Sequence, residues 1–282
     1  MYKERPLNIY PPLVNWGGIF PYLDALAALE REGIALGAFV TRAIGPPSFK
    51  TSLMPPQGAD EWIEELKRSH LLKPLIASII GTTPQDYAET ARKVSPFCAA
   101  LEVDLGPSAD SPAEAGEIVG AVREVTDKPV IVKLFPATDY ISVARSAQEA
   151  GAGGITCAGN LGTGLAIDIW QRRAIAVEAG GGLISSSVKP VTLAMVYKLY
   201  EATPITILAY GDVSRWEDVV EYMLAGASIV GLGAIFTGRT APEAASLPGQ
   251  IWSGVLAYLN GRDYHEIIGE AHGGRPPTGP GP

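Results

Sequence analysis

Short apolar runs of strand length alternate with longer amphipathic stretches from one end of the chain to the other. Eight runs read as strands: 13–15, 35–41, 75–80, 99–104, 130–134, 154–157, 205–209 and 229–232. Most are continuously apolar rather than alternating, as parallel strands covered on both faces should be. The stretches between them carry helix-start signals. Ser111-Pro-Ala-Glu114 and Ser214-Arg-Trp-Glu217 have capping-box spacing, Thr83-Pro84 opens another helix, and Pro21 begins one that Gly33 closes. Pro190 leads into a helix over 191–200, and Gly226 follows the helix after Ser214. Eight strand–helix repeats without a break predict a single α/β domain, a closed (β/α)8 TIM barrel over 1–272, rather than a doubly wound sheet. Residues 250–259 read as the last barrel helix and Asp263-Tyr-His-Glu266 caps a short extra one. The Gly/Pro run 273–282 has nothing to bury and is expected to be a disordered tail.

Composition narrows the partners. The 282 residues carry 22 Lys and Arg against 30 Asp and Glu, a formal charge of −8, which argues against a nucleic-acid surface. No apolar run reaches spanning length, and the start, Met1-Tyr-Lys-Glu-Arg, is too polar for a signal peptide. Two cysteines, Cys98 and Cys157, make no disulfide framework and fit a cytoplasmic setting. His70, His265 and His272 fall away from the strand ends, so neither a metal cluster nor a histidine triad is expected.

Barrel chemistry sits at the C-terminal strand ends. Lys133 closes an apolar strand there and needs a compensating negative charge. It could steady charge on a cofactor ring, form a Schiff base, or pair with Asp104 or Glu102. Gly211 and Gly233 follow strands seven and eight, where this fold commonly holds phosphate on backbone amides; they could equally be ordinary turn glycines. Cys157 reads as a small buried hydrophobe more readily than as a thiol at the mouth.

Several motifs, in order, resemble the dihydroorotate dehydrogenase superfamily. Pro129-Val-Ile-Val-Lys-Leu-Phe-Pro136 is similar to that family's K-P-V-I-V-K-L-S-P strand. Gly151-Ala-Gly-Gly-Ile-Thr with Gly162-Thr-Gly-Leu-Ala-Ile-Asp168 is similar to G-A-D-G-L-T … G-N-G-L-x-I-D. Gly181-Gly-Leu with Val188-Lys-Pro190, and the stretch from Leu224 to Gly233, match two further segments. The resemblance implies a flavin mononucleotide (FMN) oxidoreductase on a TIM barrel, working as a homodimer or with an electron-transfer partner subunit. It implies that Lys133 stabilises the reduced flavin and that the cofactor lies against Gly18, Gly182, Ser185, Tyr210, Gly211, Gly233 and Ala234. Arg42 stands at a family lysine position, and Asn15, Ser52 and Asn160 at or beside substrate positions.

The chain also departs from the family. The catalytic loop E-L-N-L-S-C-P-N reads Glu102-Val-Asp-Leu-Gly-Pro-Ser-Ala109: Pro107 replaces the base, Asp104 and Ala109 replace asparagines, and Ser108 is one place late. Gly159 replaces a third asparagine, and Trp16-Gly17 replaces Ala-Ser in the first-strand loop. The phosphate loop G-x-G-G reads Ala209-Tyr-Gly-Asp212, and Ser185 stands in place of a glycine. A small anionic substrate other than dihydroorotate is therefore expected, bound by Arg42, with Asp104 or Ser108 as acid/base. A lyase or aldolase using Lys133, and a barrel kept only as a binding or scaffold subunit, are the alternatives.

Overall fold

The computed structural model describes residues 7–46, 56–106, 111–136, 139–159, 161–164, 166–175, 181–183 and 186–273. Eight parallel strands form one sheet that curls into a barrel: β1 (Leu13–Asn15), β2 (Phe39–Val40), β3 (Leu75–Ile79), β4 (Ala100–Asp104), β5 (Val130–Leu134), β6 (Gly154–Ala158), β11 (Thr206–Tyr210) and β12 (Ile229–Leu232). Each hydrogen-bonds to its neighbour in the order β1-β12-β11-β6-β5-β4-β3-β2. Eight helices pack around it: α1 (Leu23–Arg31), α2 (Ala59–Ser69), α3 (Pro84–Val94), α4 (Pro112–Arg123), α5 (Tyr140–Glu149), α6 (Lys189–Ala202), α7 (Trp216–Ala225) and α8 (Ala241–Leu259). The fold is the (β/α)8 barrel that the sequence pattern predicts.

Strand parity divides the core into two shells. Leu101 and Val103, Val130, Val132 and Leu134, and Ile155 and Cys157 face outward into the helix-side cluster. Val14, Val40, Ile76, Ala100, Ile131, Leu208 and Ile229 face inward and fill the barrel. Continuously apolar strands are the result, because both parities are buried. The inward positions turn polar only near the C-terminal ends, at Ser78, Glu102, Asp104, Lys133 and Thr156; Ser78 lies opposite Glu102, and Lys133 between Asp104 and Thr156.

Several elements differ from the sequence pattern. The run 35–41 yields only a two-residue strand; just before it the chain passes against Pro11, where a Cβ on Gly37 would overlap the Pro11 carbonyl oxygen. The start of α7 is organised by Asp218 rather than Glu217. One Asp218 oxygen accepts the backbone N–H of Ser214 at 2.9 Å and of Arg215 at 3.0 Å. Ser111 does cap α4, accepting the Glu114 N–H at 3.2 Å. The last barrel helix begins at Ala241, with Pro248 inside it, not at residue 250. Between β6 and α6 lie four strands that the pattern missed: β7 (Leu161–Gly164) pairs antiparallel with β10 (Gly181–Leu183), and β8 (Ala166–Asp168) with β9 (Arg173–Ile175). They are only three or four residues long, and β7 and β10 are half or more glycine, so they carry little periodicity. The expected tail, beyond Gly273, lies outside the described residues.

The ring closes between β1 and β2, where no regular ladder forms. One backbone bond, Gly37 N–H to Leu13 O at 2.8 Å, and a single bridge between Val14 and Ala38 span the seam. Asn15 completes it. Its carboxamide donates to Val40 O at 2.7 Å and accepts the Val40 N–H at 2.9 Å, with the whole residue buried. Asn15→Ala should leave both Val40 groups unpartnered in the interior and destabilise the protein by about 3 kcal/mol. A lowered urea midpoint with unchanged slope would register this loss.

Candidate active site at the barrel mouth

The polar inward residues form a connected set. Lys133 Nζ lies 2.8 Å from Asp104 Oδ2 and 5.3 Å from the centre of the Phe135 ring. Both partners sit at the edge of the interior, with side chains 14% and 10% exposed. The other Asp104 oxygen accepts the Gly106 N–H at 3.0 Å, and the Asp104 carbonyl accepts the Tyr87 hydroxyl of α3 at 2.7 Å. One layer deeper, the fully buried Glu102 accepts Thr156 Oγ1 at 2.8 Å and Ser78 Oγ at 3.2 Å. The Tyr210 ring is buried in the same interior cluster, against Gly231.

These contacts set the protonation states. Burial alone would push the Lys133 ammonium down, but Asp104 and Glu102 more than offset this and hold its pKa above the ordinary 10.5. Glu102 moves the other way from an exposed acid. Burial drives its pKa up from 4.5 and nearby Asp104 adds to the rise, against the opposing pull of Lys133. Burial likewise pushes the Cys157 thiol well up, so it behaves as a small core hydrophobe.

The other expected site residues fall in three places. Asn15 is committed to the seam. Arg42 turns toward the first loop, its Nη1 3.5 Å from Pro21 O, in a tight crevice with Phe20, Tyr22, Gln57 and Trp62. Ser52, Ser108, Asn160 and Ser185 lie outside the described residues, and Gly182 pairs with Thr163 in the β7–β10 ladder. Gly18 has a φ of +85°, a backbone setting that favours glycine, and a Cβ there would meet open space.

Gly211 and Gly233 have a steric reason to be glycine beyond the one expected. A Cβ on Gly211 would overlap the Tyr222 hydroxyl, and one on Gly233 would overlap the Trp16 indole. The space is filled by the chain's own aromatic rings. Their backbones nonetheless retain anion-binding character: among the described residues, the N–H groups of Gly211, Val213 and Gly233 find no acceptor although all three residues are buried. The ends of β11 and β12 thus carry backbone donors of the kind that hold a phosphate, beneath these rings. Asp212 sits there too, its carboxyl pKa raised by burial and by nearby Asp218.

Sequence reasoning noted Trp16 only as a substitution. Its indole N–H donates to Gly231 O at 2.9 Å and its ring lies over Gly233. Next to it, Gly17 brings the loop down onto the barrel, where a Cβ would stand 3.6 Å from Glu102 Oε1.

A closed parallel barrel with its ionisable side chains gathered at one end places the chain among the TIM-barrel enzymes' fold class. A family model for dihydroorotate dehydrogenase matches residues 53–245. The catalytic subunit of dihydroorotate dehydrogenase B (NAD(+)) from Pyrococcus abyssi is 35% identical, the match covering 92% of this chain and 95% of the relative. The subunit of the same name from Methanosarcina acetivorans is 32% identical over 96% of each chain. That from Pelobacter propionicus is 37% identical over 82% of this chain and 71% of the relative. The chain belongs to the dihydroorotate dehydrogenase family. Among the described residues no helix is long and apolar enough to cross a membrane.

Glu102 offers a test of the interior electrostatics. Because its native pKa is raised, its contribution to stability is complete below about pH 4.5 and is lost as pH climbs toward the native value. Glu102→Gln has no such loss and can still accept from Thr156. The stability of the variant relative to wild type should therefore rise with pH from about 4.5 upward, as read from urea midpoints across that range.

Proposed function

We propose that the protein is an FMN-dependent oxidoreductase that acts on a small anionic substrate other than dihydroorotate. One observation carries this reading: a lysine held cationic by Asp104, 2.8 Å away, at the mouth of a dihydroorotate dehydrogenase-family barrel. The unpartnered amides of Gly211, Val213 and Gly233 support phosphate binding, and Gly18, Gly182, Ser185, Tyr210 and Ala234 would complete the cofactor's surroundings. When bound, FMN supplies the two-electron acceptor.

Lys133 keeps a fixed positive charge at the mouth, where negative charge would develop. Asp104 preserves that charge, and Tyr87 and Gly106 hold Asp104 in place. As a proton acceptor, Asp104 would have to release one of the two bonds its oxygens already accept; Ser108 is the neighbouring candidate. Arg42 would receive an anionic group by turning from Pro21, with Ser52 and Asn160 bordering the substrate; Asn15 acts from the seam, by fixing the loop that follows it. The missing family asparagines support a changed substrate, since a site built on such bonds loses most of its discrimination without them. The Lys133–Asp104 pair works against Schiff-base chemistry, which needs the free amine. The relatives' designation as catalytic subunits supports a second, electron-accepting subunit, alongside a homodimer. The two unpaired thiols support a reducing, cytoplasmic setting.

Purified protein reconstituted with excess FMN should become yellow and hold the flavin through desalting; a colourless product would overturn the reading. Lys133→Ala should keep the fold and slow flavin reduction by roughly 100- to 1,000-fold, the usual loss when one charge-stabilising group is removed. Anaerobic addition of dihydroorotate should leave the bound flavin oxidised.

A further inference from the structure

We propose that Trp16 is the gate of the flavin seat: the indole lies over the paired ends of β1 and β12 and must swing out before the cofactor can reach the Gly233 amide. This rests on the FMN reading above and adds a residue that controls access to the same site. Three observations carry it. The indole ring covers Gly233, one of the three buried residues whose amides are left without an acceptor. Its N–H takes up Gly231 O, so a single hydrogen bond latches the ring across the strand ends. And Trp16 itself is only partly buried, so the ring has a solvent-facing route outward.

The local chain is suited to such movement. Trp16 is anchored by its backbone, whose N–H donates to Leu232 O at 2.9 Å, so the ring can turn about its side-chain bonds without disturbing β1. Gly17 and Gly18 come directly after it, and Gly18 borders open space. The ring lies against Gly231 and Gly233, beside the Tyr210 ring, and packs on the inward hydrophobic cluster. Removing the indole thus uncovers the Gly233 backbone.

A closed gate reduces apparent affinity by the fraction of time it stands open. FMN binding to wild type, Trp16→Ala and Trp16→Phe can be measured by quenching of flavin fluorescence, with association rates from stopped flow. Trp16→Ala should bind FMN roughly tenfold more tightly, with the gain in the association rate, and Trp16→Phe, which lacks the latching N–H, should fall between. Thermal melts establish that both variants fold; if Trp16→Ala does not, the Trp16→Phe gain decides alone. Equal or weaker binding by the folded variants, with wild type binding FMN, would overturn the gate and leave the oxidoreductase reading standing. Failure of all three proteins to bind FMN would overturn both.

Discussion

A ring of eight strands must be closed somewhere, and here closure falls to one side chain. β1 has three residues and β2 has two, too few for a ladder between them, so the Asn15 carboxamide serves as a substitute peptide group, bonding both N–H and C=O of Val40. The residues next in the chain inherit that constraint. Trp16 and Gly17 leave the seam already directed over the barrel, which is why the indole reaches Gly231 and Gly17 approaches Glu102. An asparagine that resembles a ligand contact in sequence is, in space, the fastening that fixes the loop beside the site.

The interior shows a second economy. Two carboxylates, Glu102 and Asp104, share the neighbourhood of one ammonium, Lys133. Full ionisation of all three would leave an uncompensated negative charge in a medium that solvates it poorly. The layers resolve this by depth. Asp104, near the edge, takes the lysine directly; Glu102, in the buried layer below, accepts from the hydroxyls of Ser78 and Thr156 and is displaced toward its neutral form. The lysine is thus kept charged without the interior carrying more charge than it can hold.

How much of this could be read from the chain depended on whether the signal was local. Continuous apolar strands and proline or threonine helix starts are local, and they located all eight barrel strands and the cap at Thr83, whose hydroxyl accepts the Asp86 N–H at 3.2 Å. The pairing of Lys133 with Asp104 was open among three roles, because strand ends reveal neighbours but not which neighbour wins. The four small strands after β6 were invisible, since antiparallel segments of three or four residues have almost no period to detect. The glycines at 211 and 233 were recognised as special, but the packing around them was not. Their bareness answers to Tyr222 and Trp16, contacts separated by 11 and 217 residues that no pattern along the chain records.

The hydroxyl of Tyr87 comes from the outer helical layer, yet it ends on the carbonyl of Asp104, at the rim where the lysine is held. The ring that carries it is itself fully packed among the helix-side hydrophobes. The wall and the mouth are consequently mechanically one piece. Drift of α3 along the barrel would be transmitted through a single phenol to the carboxylate that governs the lysine's charge. In a lineage whose surface helices diverge freely, this helix would be among the last able to do so.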